Sequence, residues 1–487
     1  MSHNEDSLDP TNWDEFRAIA HRMVDDMLDY LAGIRDRPAW RPPPGEVAKE
    51  FRGPLPRTGE GVEAAYQNFV DWVLPYPNGN QHPRFFGWAQ SNGTPLGMMA
   101  DMLASGLNPY LGGFNQAPAL VEDQVIAWLA EMIGYPAAAS GLLTLGGSMS
   151  NLLALAVARH VHLGPDVHTN GLVGVGRRPV FYASTESHRC VAKAVDILGF
   201  GARSLHLIQV DHDYRIDSVA LRSAIAEDRA AGMQPICVIG SAGTTNTGSI
   251  DDLEALATIS CGEELWFHVD AAWAGFARLS GALADRVRGI ELADSISLNM
   301  HKWLYQPVDV AALLVRNAEA HRAAFSGTPA YMESAERGVM AGGFRFADLG
   351  VDTTRSFRAL KVWMSIKAEG ADRFARVIES NVAQAAYLAT RIGDEPALEL
   401  AAPVPLNVVC FRFVAPSIED PALERLNREI MIRLQESGDA VLSSTRLRGK
   451  FVLRCAILNH RTTLRDIDLL VERVVEIGKG LLAAGRT

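Results

Sequence analysis

A lysine that follows a strand-like segment is the first residue whose setting suggests chemistry. Lys302 stands in DSISLNMHKWLY, among apolar and aromatic neighbours. Burial in such a setting lowers the pKa of a lysine, and the neutral amine can form an imine with a carbonyl group. A lysine beside a tryptophan is more often an ordinary surface residue, however. The interpretation of Lys302 therefore depends on the groups that accompany it.

A carboxylate closes another apolar segment. Asp270 stands in LWFHVDAAWAG, after a run of mostly apolar residues. A carboxylate at the end of a buried strand costs energy unless a cation meets it. A protonated pyridine nitrogen would be such a cation, and a structural salt bridge is the other interpretation.

A glycine turn precedes a helix-like segment in LTLGGSMSNLLALAVAR. Gly146 and Gly147 would let the backbone come close to a ligand. Ser148 and Ser150 offer hydroxyl and N–H groups at the start of the helix. Helix N-termini bind phosphate through free N–H groups and the helix dipole. The turn predicts a phosphate site, although an ordinary helix start after a glycine turn has the same pattern.

A histidine completes the set. His188, in YASTESHRCVAKA, could stack flat on a planar ring or simply cap the next helix. The order along the chain is a phosphate site, a stacking histidine, a carboxylate, and a lysine 32 positions after the carboxylate. Pyridoxal 5'-phosphate (PLP) needs each of these groups, for its phosphate, ring, ring nitrogen and aldehyde respectively. We therefore predict that the chain binds PLP, with Lys302 as the Schiff-base lysine and Asp270 keeping the ring nitrogen protonated.

The middle of the chain contains the elements that must position these residues. Helical segments separate most of its strand-length apolar runs, which are residues 179–184, 204–210, 235–243, 265–272, 294–300 and 310–316. Continuous apolar strands that alternate with helices indicate a mostly parallel sheet covered on both faces, the α/β class. In such sheets ligands bind beyond the carboxyl ends of the strands. Asp270 and Lys302 follow two of these runs.

The two ends of the chain differ from this pattern. A chain of 487 residues is too long to fold around one compact core. Residues 1–90 contain a one-sided helix and a proline-rich break, and this helical unit cannot bury its own apolar face. Residues 371–487 read as a small α+β domain of two strands and three helices. We expect the division 1–90, 91–370 and 371–487, with PLP in the large middle domain.

Composition excludes several classes of protein. The net charge is −11, which argues against nucleic acid, whose binding requires clustered Lys and Arg. No apolar run approaches the roughly 20 residues of a membrane span, and the acidic start MSHNEDSLDP is unlike a signal peptide. The five cysteines are scattered and odd in number, as expected of free thiols in a reducing compartment. We predict a cytoplasmic protein without a nucleic-acid or membrane partner.

Two further motifs carry no predicted function. GLVGVGRRP, residues 171–179, resembles a glycine-rich nucleotide loop, but it precedes a strand instead of linking a strand to a helix. His206, Asp211, His212 and Asp213 suggest a metal site, yet they stand at a strand end and a turn, where a solvated turn is the simpler interpretation. We predict no metal.

The segments around these residues resemble the pyridoxal-dependent group II decarboxylases, which include the aromatic L-amino acid, histidine and glutamate decarboxylases. The resemblance spans nearly the whole chain, through HPRFFGW, DMLASGLN, HVDAAWAG, NMHKW and SFRALKVW. It implies the fold type I architecture: an N-terminal unit that clasps a partner, a large domain with a seven-stranded sheet and a small C-terminal domain. It also implies an obligate homodimer with active sites at the interface.

The resemblance implies roles for individual residues. Lys302 matches the Schiff-base lysine, Asp270 the partner of the pyridine nitrogen, and His188 the ring-stacking histidine. Ala272 would pack under the ring opposite His188, and Thr245 would lie near the ring's phenolic oxygen and the lysine. Four residues match positions beside the phosphate: Ser148, Met149 (through its N–H), Asn299 and His301.

A tyrosine in a glycine-rich segment bears on the product. Tyr331 lies in GTPAYMESAERGVMAGG, residues 327–343, whose composition is typical of a mobile lid. By resemblance, this tyrosine would protonate the carbanion after CO2 leaves, and relatives with phenylalanine there tend to make aldehydes oxidatively. Tyr331 therefore favours simple decarboxylation to the amine.

The predicted substrate pocket departs from that of the animal aromatic decarboxylases. The resemblance assigns six positions to it: Trp88, Ala89, Tyr110, Gly112, Phe114 and Thr354. Their aromatic rings, and the lack of an obvious basic cluster, favour tryptophan, phenylalanine, tyrosine or DOPA over glutamate or aspartate. The alternatives are an aromatic aldehyde synthase, a decarboxylase of glutamate, aspartate or diaminobutyrate, another PLP reaction such as transamination or C–S cleavage, and a non-enzymatic binding protein.

Overall fold

The computed structural model describes residues 7–90, 92–327, 335–341, 343, 345–416 and 418–485. Within these ranges, no helix combines the length and the apolar character that a membrane crossing requires.

Three helices form the N-terminal region: α1 (Trp13–Ala32), α2 (Gly45–Glu50) and α3 (Val62–Asn68). Asn12 is the N-cap of α1, and its side chain accepts hydrogen bonds from N–H groups of the first turn. The buried residues of α1 are Tyr30 and Leu31, near its end. Most of the helix therefore lies outside the core of its own chain.

A seven-stranded sheet forms the centre of the large domain, in the order β1-β7-β6-β5-β4-β2-β3. The strands are β1 (Ser140–Thr144), β2 (Pro179–Ser184), β3 (Leu205–Ile208), β4 (Gln234–Ser241), β5 (Trp266–Asp270), β6 (Ser295–Asn299) and β7 (Ala311–Val315). Neighbouring strands from β3 to β6 pair in parallel, and β7 is antiparallel to both of its neighbours. The predicted mostly parallel, seven-stranded α/β sheet is confirmed.

Helices cover both faces of this sheet. They are α4 (Pro95–Leu107), α5 (Ala117–Met132), α6 (Gly147–Leu163), α7 (Asp166–Asn170), α8 (Cys190–Ile197), α9 (Ser218–Ala230), α10 (Leu253–Gly262), α11 (Met300–Trp303), α12 (Ala318–Ala323) and α13 (Ala359–Glu369). Along β2, Val180 and Tyr182 join one apolar cluster while Phe181 and Ala183 join another. Because successive side chains point to opposite faces, both faces of the sheet are buried. This burial explains the continuous apolar runs in the sequence.

The C-terminal region forms a four-stranded antiparallel sheet, in the order β10-β11-β9-β8. Its strands are β8 (Leu398–Leu400), β9 (Val408–Phe413), β10 (Ser443–Leu447) and β11 (Lys450–Ala456). Three helices accompany them: α14 (Ala371–Asp394), α15 (Asp420–Glu436) and α16 (Leu464–Ala483). The long helices α13 and α14 are separated by Gly370, whose φ of 71° suits glycine.

An N-terminal segment is hydrogen-bonded into this small domain. Phe86 N–H donates to Val441 O at 2.8 Å, and Phe86 O accepts from Ala456 N–H at 2.8 Å. Arg35 forms an ion pair with the buried carboxylate of Asp466 at 2.7 Å. The segment that carries Trp88 is thereby held against the small domain.

Candidate active site

A cavity of about 420 Å³ lies at the carboxyl ends of the parallel strands. It contains most of the predicted site residues, namely Trp88, Ala89, Ser148, His188, Thr245, Asp270, Ala272, Asn299, His301 and Lys302. The loops after β4 and β5, the starts of α6 and α11, and the small domain all contribute to its wall. The topology therefore brings distant parts of the sequence together where α/β sheets bind ligands.

Lys302 lies in the short helix α11, which directly follows β6. Burial lowers the pKa of its amine, and the charge of Asp270 opposes this shift. Its Nζ lies 5.4 Å from the centre of the Trp273 ring. A lowered pKa increases the share of neutral amine, which is the form that attacks a carbonyl carbon.

Asp270 ends β5, and its two carboxylate oxygens accept three hydrogen bonds. Oδ1 accepts from the N–H of Ala272 at 3.2 Å and from Ser297 Oγ at 3.1 Å, and Oδ2 accepts from Asn151 Nδ2 at 2.9 Å. These three donors hold the carboxylate in one orientation. Asp270 takes part in no ion pair within the described part of the chain, which argues against a structural salt bridge. The carboxylate is suited to a cationic ring nitrogen.

The start of α6 has the form of a phosphate site. Gly146 is its N-cap and supplies no side-chain hydrogen bond. A Cβ added to Gly147 would lie 3.0 Å from Asn299 Oδ1 and 3.2 Å from the Ala272 side chain, so glycine keeps this approach open. Asn299 Oδ1 is itself buried with no hydrogen-bond partner among the described residues, as expected of an atom that faces a polar ligand. These features fit the phosphate of PLP.

The predicted phosphate-side residues differ in their placement. His301 Nδ1 faces the carbonyl oxygen of Val310 at 2.9 Å, and burial lowers the pKa of its imidazole to about 4. The ring is therefore neutral, and its Nε2 lies 3.2 Å from Asn299 Nδ2. Met149 does not line the cavity, and its N–H already donates to Gly146 O at 2.9 Å. Within this structure the Met149 N–H is thus not free to bind phosphate.

His188 and Ala272 both line the cavity. Burial lowers the pKa of His188, so that its imidazole is neutral near pH 7. Its Nδ1 accepts a hydrogen bond from the N–H of Cys190 at 3.3 Å, which fixes the ring at the start of α8. A fixed neutral ring is suited to stacking on a flat cofactor.

Sequence reasoning missed a buried arginine in the cavity wall. Arg454 Nη1 donates to Trp88 O at 2.9 Å, and its Nε donates to Asn246 O at 3.1 Å. Its Nη2 is buried and has no partner among the described residues. The signal was present in the sequence, since an arginine inside the apolar run KFVLRCAIL needs a specific reason. Asn151, on α6, was missed as well.

Four predicted substrate residues lie outside the cavity of their own chain: Tyr110, Gly112, Phe114 and Thr354. They form a separate group, called here the 110–354 patch. The Tyr110 and Phe114 rings lie 5.7 Å apart, and Thr354 is exposed. Tyr331 falls outside the described residues.

A buried ion pair supports the 110–354 patch. The Arg355 guanidinium pairs with Glu122 and donates to the carbonyl oxygens of Leu111 at 3.0 Å and Leu143 at 2.8 Å. Arg355 O also accepts from Leu111 N–H at 3.2 Å. These bonds hold the two segments of the patch side by side.

The turn that contains Asp211 and Asp213 also contains a positively charged residue. Arg215 lies 3.1 Å from the carboxylates of both Asp211 and Asp213. An arginine shared by two carboxylates matches the interpretation as a charged surface turn.

Comparison with known proteins places these features in a family. The pyridoxal-dependent decarboxylase conserved domain matches residues 44–414. The chain is 31% identical to the aromatic-L-amino-acid decarboxylase of Bacillus atrophaeus over 465 residues, 95% of each chain. It is 29% identical to the phenylacetaldehyde synthase of Arabidopsis thaliana, over 92% of this chain and 93% of that protein.

Solved structures agree with the sequence comparison. The crystal structure of Oryza sativa TDC with PLP and tryptamine superposes with a TM-score of 0.89 at 27% identity, over 98% of this chain and all of that one. The cavity contains a lysine, a carboxylate and a glycine turn that fit PLP, and PLP is the cofactor. The chain belongs to the pyridoxal-dependent decarboxylase family and is a PLP-dependent amino acid carboxy-lyase.

Proposed function

We propose that the protein decarboxylates an aromatic L-amino acid (tryptophan, phenylalanine, tyrosine or DOPA) to the amine and CO2. One observation carries the proposal: the Lys302 amine and the Asp270 carboxylate share a cavity whose wall includes the rings of Trp88 and Trp273. Aromatic walls favour aromatic side chains through burial and ring contacts. Two relatives of similar identity are named tyrosine and tryptophan decarboxylases.

Four residues have separate roles in this proposal. When bound, PLP supplies an electron sink for the electrons left by CO2. Asp270 would hold the proton of its ring nitrogen, and Lys302 would hold its aldehyde. His188 would lie against the ring and help to orient the substrate carboxylate. Tyr331, which lies outside the described residues, would give a proton to Cα of the product.

Arg454 provides a site for a substrate carboxylate. Its free Nη2 N–H lies in the wall of the cavity, near the Trp273 ring. A guanidinium hydrogen bond to a carboxylate is among the stronger polar contacts in proteins. We propose that Arg454 binds the α-carboxylate and thereby fixes the substrate before CO2 leaves.

Arg454 also supports a second candidate function, the decarboxylation of an acidic amino acid. The sequence shows no obvious basic cluster for a side-chain carboxylate, but Arg454 lies in the cavity wall. The glutamate decarboxylase domain of a diaminobutyrate-pyruvate transaminase and L-2,4-diaminobutyrate decarboxylase from Vibrio parahaemolyticus superposes with a TM-score of 0.85 at 25% identity, over 98% of each chain. Substrate tests must therefore include acidic and diamino acids.

We propose that the protein is a homodimer in which the 110–354 patch completes the cavity of the partner subunit. The patch contains two aromatic rings in contact, is partly exposed and is held in place by the Arg355–Glu122 pair. It contains the predicted substrate residues that the cavity of their own chain lacks. We also propose the division into residues 1–90, 91–370 and 371–487, and a cytoplasmic location, which the free cysteines support.

The proposed function is tested by incubating PLP-loaded enzyme in air with a panel of L-amino acids. The panel contains the four aromatic candidates, glutamate, aspartate and 2,4-diaminobutyrate, and CO2, amine, aldehyde and peroxide are measured together. CO2 with an equal amount of amine from one aromatic substrate supports the proposal. Aldehyde with peroxide would identify an aldehyde synthase, and turnover of glutamate or aspartate alone would replace the aromatic assignment.

A further inference from the structure

A buried chain of hydrogen bonds leads from the core of the large domain to Asp270. Trp266 Nε1 lies 2.8 Å from Ser295 Oγ, and Ser295 Oγ lies 2.9 Å from His268 Nδ1. His268 Nε2 lies 2.7 Å from Asn151 Oδ1, and Asn151 Nδ2 lies 2.9 Å from Asp270 Oδ2. Each distance is that of a good hydrogen bond. The chain reaches the carboxylate from the side opposite to solvent.

Local structure explains why these side chains meet. His268 and Asp270 are two residues apart on β5, so both point to the same face of the sheet. Asn151 lies in the first turns of α6, which covers that face. Ser295 pairs with His268 across β5 and β6. His268 and Ser295 have no exposed surface and Asn151 has almost none, so each of their polar groups needs a partner within the protein.

The charge of Asp270 decides how the Asn151 amide is turned. An ionised carboxylate can only accept hydrogen bonds, so Asn151 must present its Nδ2 to Asp270. The second N–H of the same amide group donates to Cys190 Sγ, with 3.1 Å between Nδ2 and Sγ. The amide oxygen is then left to face His268.

This orientation in turn decides where His268 carries its proton. Burial lowers the pKa of His268 to about 4, so the ring is neutral and donates from one nitrogen only. Asn151 Oδ1 requires a donor, which places the proton on Nε2, and Nδ1 accepts from the Ser295 hydroxyl. The Trp266 N–H donates to that hydroxyl. All four hydrogen bonds therefore donate in one direction, towards the carboxylate, and such chains strengthen their members.

We propose that Asn151 is a positioning residue that couples the ionisation of Asp270 to the tautomer of His268. With Asp270 ionised, the chain is locked as described and holds the carboxylate in place for the ring nitrogen of PLP. With a neutral group at position 270, the Asn151 amide is free to turn over. His268 can then donate from Nδ1 to Ser295 O, which lies 3.1 Å away.

The other titratable groups near Asp270 are Lys302, His188 and Cys190. The negative charge of Asp270 acts to raise the pKa of all three groups. None of them donates a hydrogen bond to Asp270 among the described residues. Asn151 is therefore the sole side-chain donor to Oδ2 in that part of the chain, and the proposal does not depend on which amino acid is the substrate.

The first test removes the amide from the PLP-loaded enzyme. Asn151→Leu keeps the size of the side chain and removes its hydrogen bonds. With 15N-labelled PLP, we expect the pyridine nitrogen resonance to move towards that of an unprotonated ring. We also expect the Kd for PLP to rise roughly ten- to hundredfold, as for loss of a hydrogen bond to a charged group.

A matched control is Asn427→Leu in the small domain. Asn427 is equally buried, and its side chain makes three hydrogen bonds to the backbone far from the cavity. This variant should retain the wild-type resonance and Kd. An unchanged resonance and Kd in a folded Asn151→Leu enzyme would overturn the proposal.

A second measurement uses the unaltered site. In PLP-loaded enzyme with 15N-labelled histidine, the His268 signals are identified by their loss in His268→Gln. We expect the Nε2–H tautomer without titration between roughly pH 6 and 8, and a change to the Nδ1–H tautomer in Asp270→Asn. An imidazolium or an Nδ1–H tautomer in the wild-type enzyme would contradict the coupling. Failure of the proposed function would change the products and leave these signals as they are.

Discussion

Lys302 and Arg454 lie at the same distance, 5.4 Å, from the centre of the Trp273 ring. The ring is fixed by a hydrogen bond from its Nε1 to Asn407 Oδ1 at 2.9 Å. Two cationic side chains thus share one aromatic contact, with Lys302 on the large domain and Arg454 on the small domain. The amine proposed to hold the cofactor and the guanidinium proposed to bind the substrate carboxylate contact the same indole.

Lys302→Ala should remove the imine absorption band of the PLP-loaded enzyme and lower kcat by several orders of magnitude, because the described wall of the cavity contains no second lysine to replace the nucleophile. Absorption spectra and single-turnover assays check this. The control is Lys479→Ala, which removes an exposed lysine of α16 and should retain both. A retained imine band in Lys302→Ala would contradict the assignment.

Arg454→Lys should raise the KM for the substrate by about tenfold or more, because lysine lacks the planar fork that binds carboxylates. The KM is measured for one aromatic and one acidic amino acid. A similar rise for both indicates a contact to the α-carboxylate, whereas a rise for the acidic substrate alone indicates a side-chain carboxylate. An unchanged KM for both would exclude Arg454 from substrate binding.

Glu122→Ala should lower the free energy of unfolding by about 3–5 kcal/mol, because it leaves Arg355 as an unpaired buried charge. Urea denaturation at fixed protein concentration measures the change. The double variant Glu122→Leu with Arg355→Met should recover much of the loss, because no unpaired charge remains. If the single variant is as stable as the wild type, the pair does not support the 110–354 patch.

Acid should destabilise the fold between about pH 6.5 and 4. Burial lowers the pKa of eight described histidines: to about 4 for His82, His268, His301 and His321, to about 3 for His460, and also for His160, His162 and His188. The unfolded chain therefore binds more protons than the folded chain in this window, and the free energy of unfolding falls as the pH falls.

Urea denaturation at several pH values measures this effect. Burial raises the pKa of four acids, to about 6 for Asp251 and also for Asp101, Glu186 and Asp294, which acts in the opposite direction, but these are four groups against eight histidines. A free energy of unfolding that is constant from pH 7 to about 4.5 would contradict the prediction.

Tyr331→Phe should lower the yield of amine and raise aldehyde and peroxide, because the phenol proposed to protonate Cα is lost and oxygen can react instead. Product analysis in air, with CO2 as the reference, measures the ratio. The control is Tyr387→Phe, since Tyr387 bonds Asp468 in the small domain and should not affect products. Unchanged products in Tyr331→Phe would remove Tyr331 from the chemistry.

The sheet and the centre of the site could be predicted because strand ends are visible in the sequence. Buried strands appear as apolar runs, and Asp270 and Lys302 stand out as polar residues just beyond them. The resemblance to known decarboxylases then assigned His188, Ala272 and Thr245, which the structure places in the same cavity.

Other site residues could not be found in this way. Asn151 lies inside a helix, and its importance depends on which face of α6 covers β5. Arg454 lies in β11 of the small domain, far along the sequence from Asp270. Only tertiary packing brings it into the cavity. For Tyr110 and Thr354 the sequence indicated a role in substrate binding, but spacing along one chain does not tell which subunit's cavity they serve.

The pairing of Phe86 with Val441 and Ala456 makes the small domain discontinuous in sequence. The segment around Phe86 cannot form these hydrogen bonds until residues more than three hundred positions later in the chain have been synthesised. Contacts of such long sequence separation slow folding, because the entropy lost in closing the long intervening loop precedes the gain from the contact. A fragment that begins at residue 371 would expose the unpaired backbone of Val441 and Ala456, and with it an edge prone to aggregation.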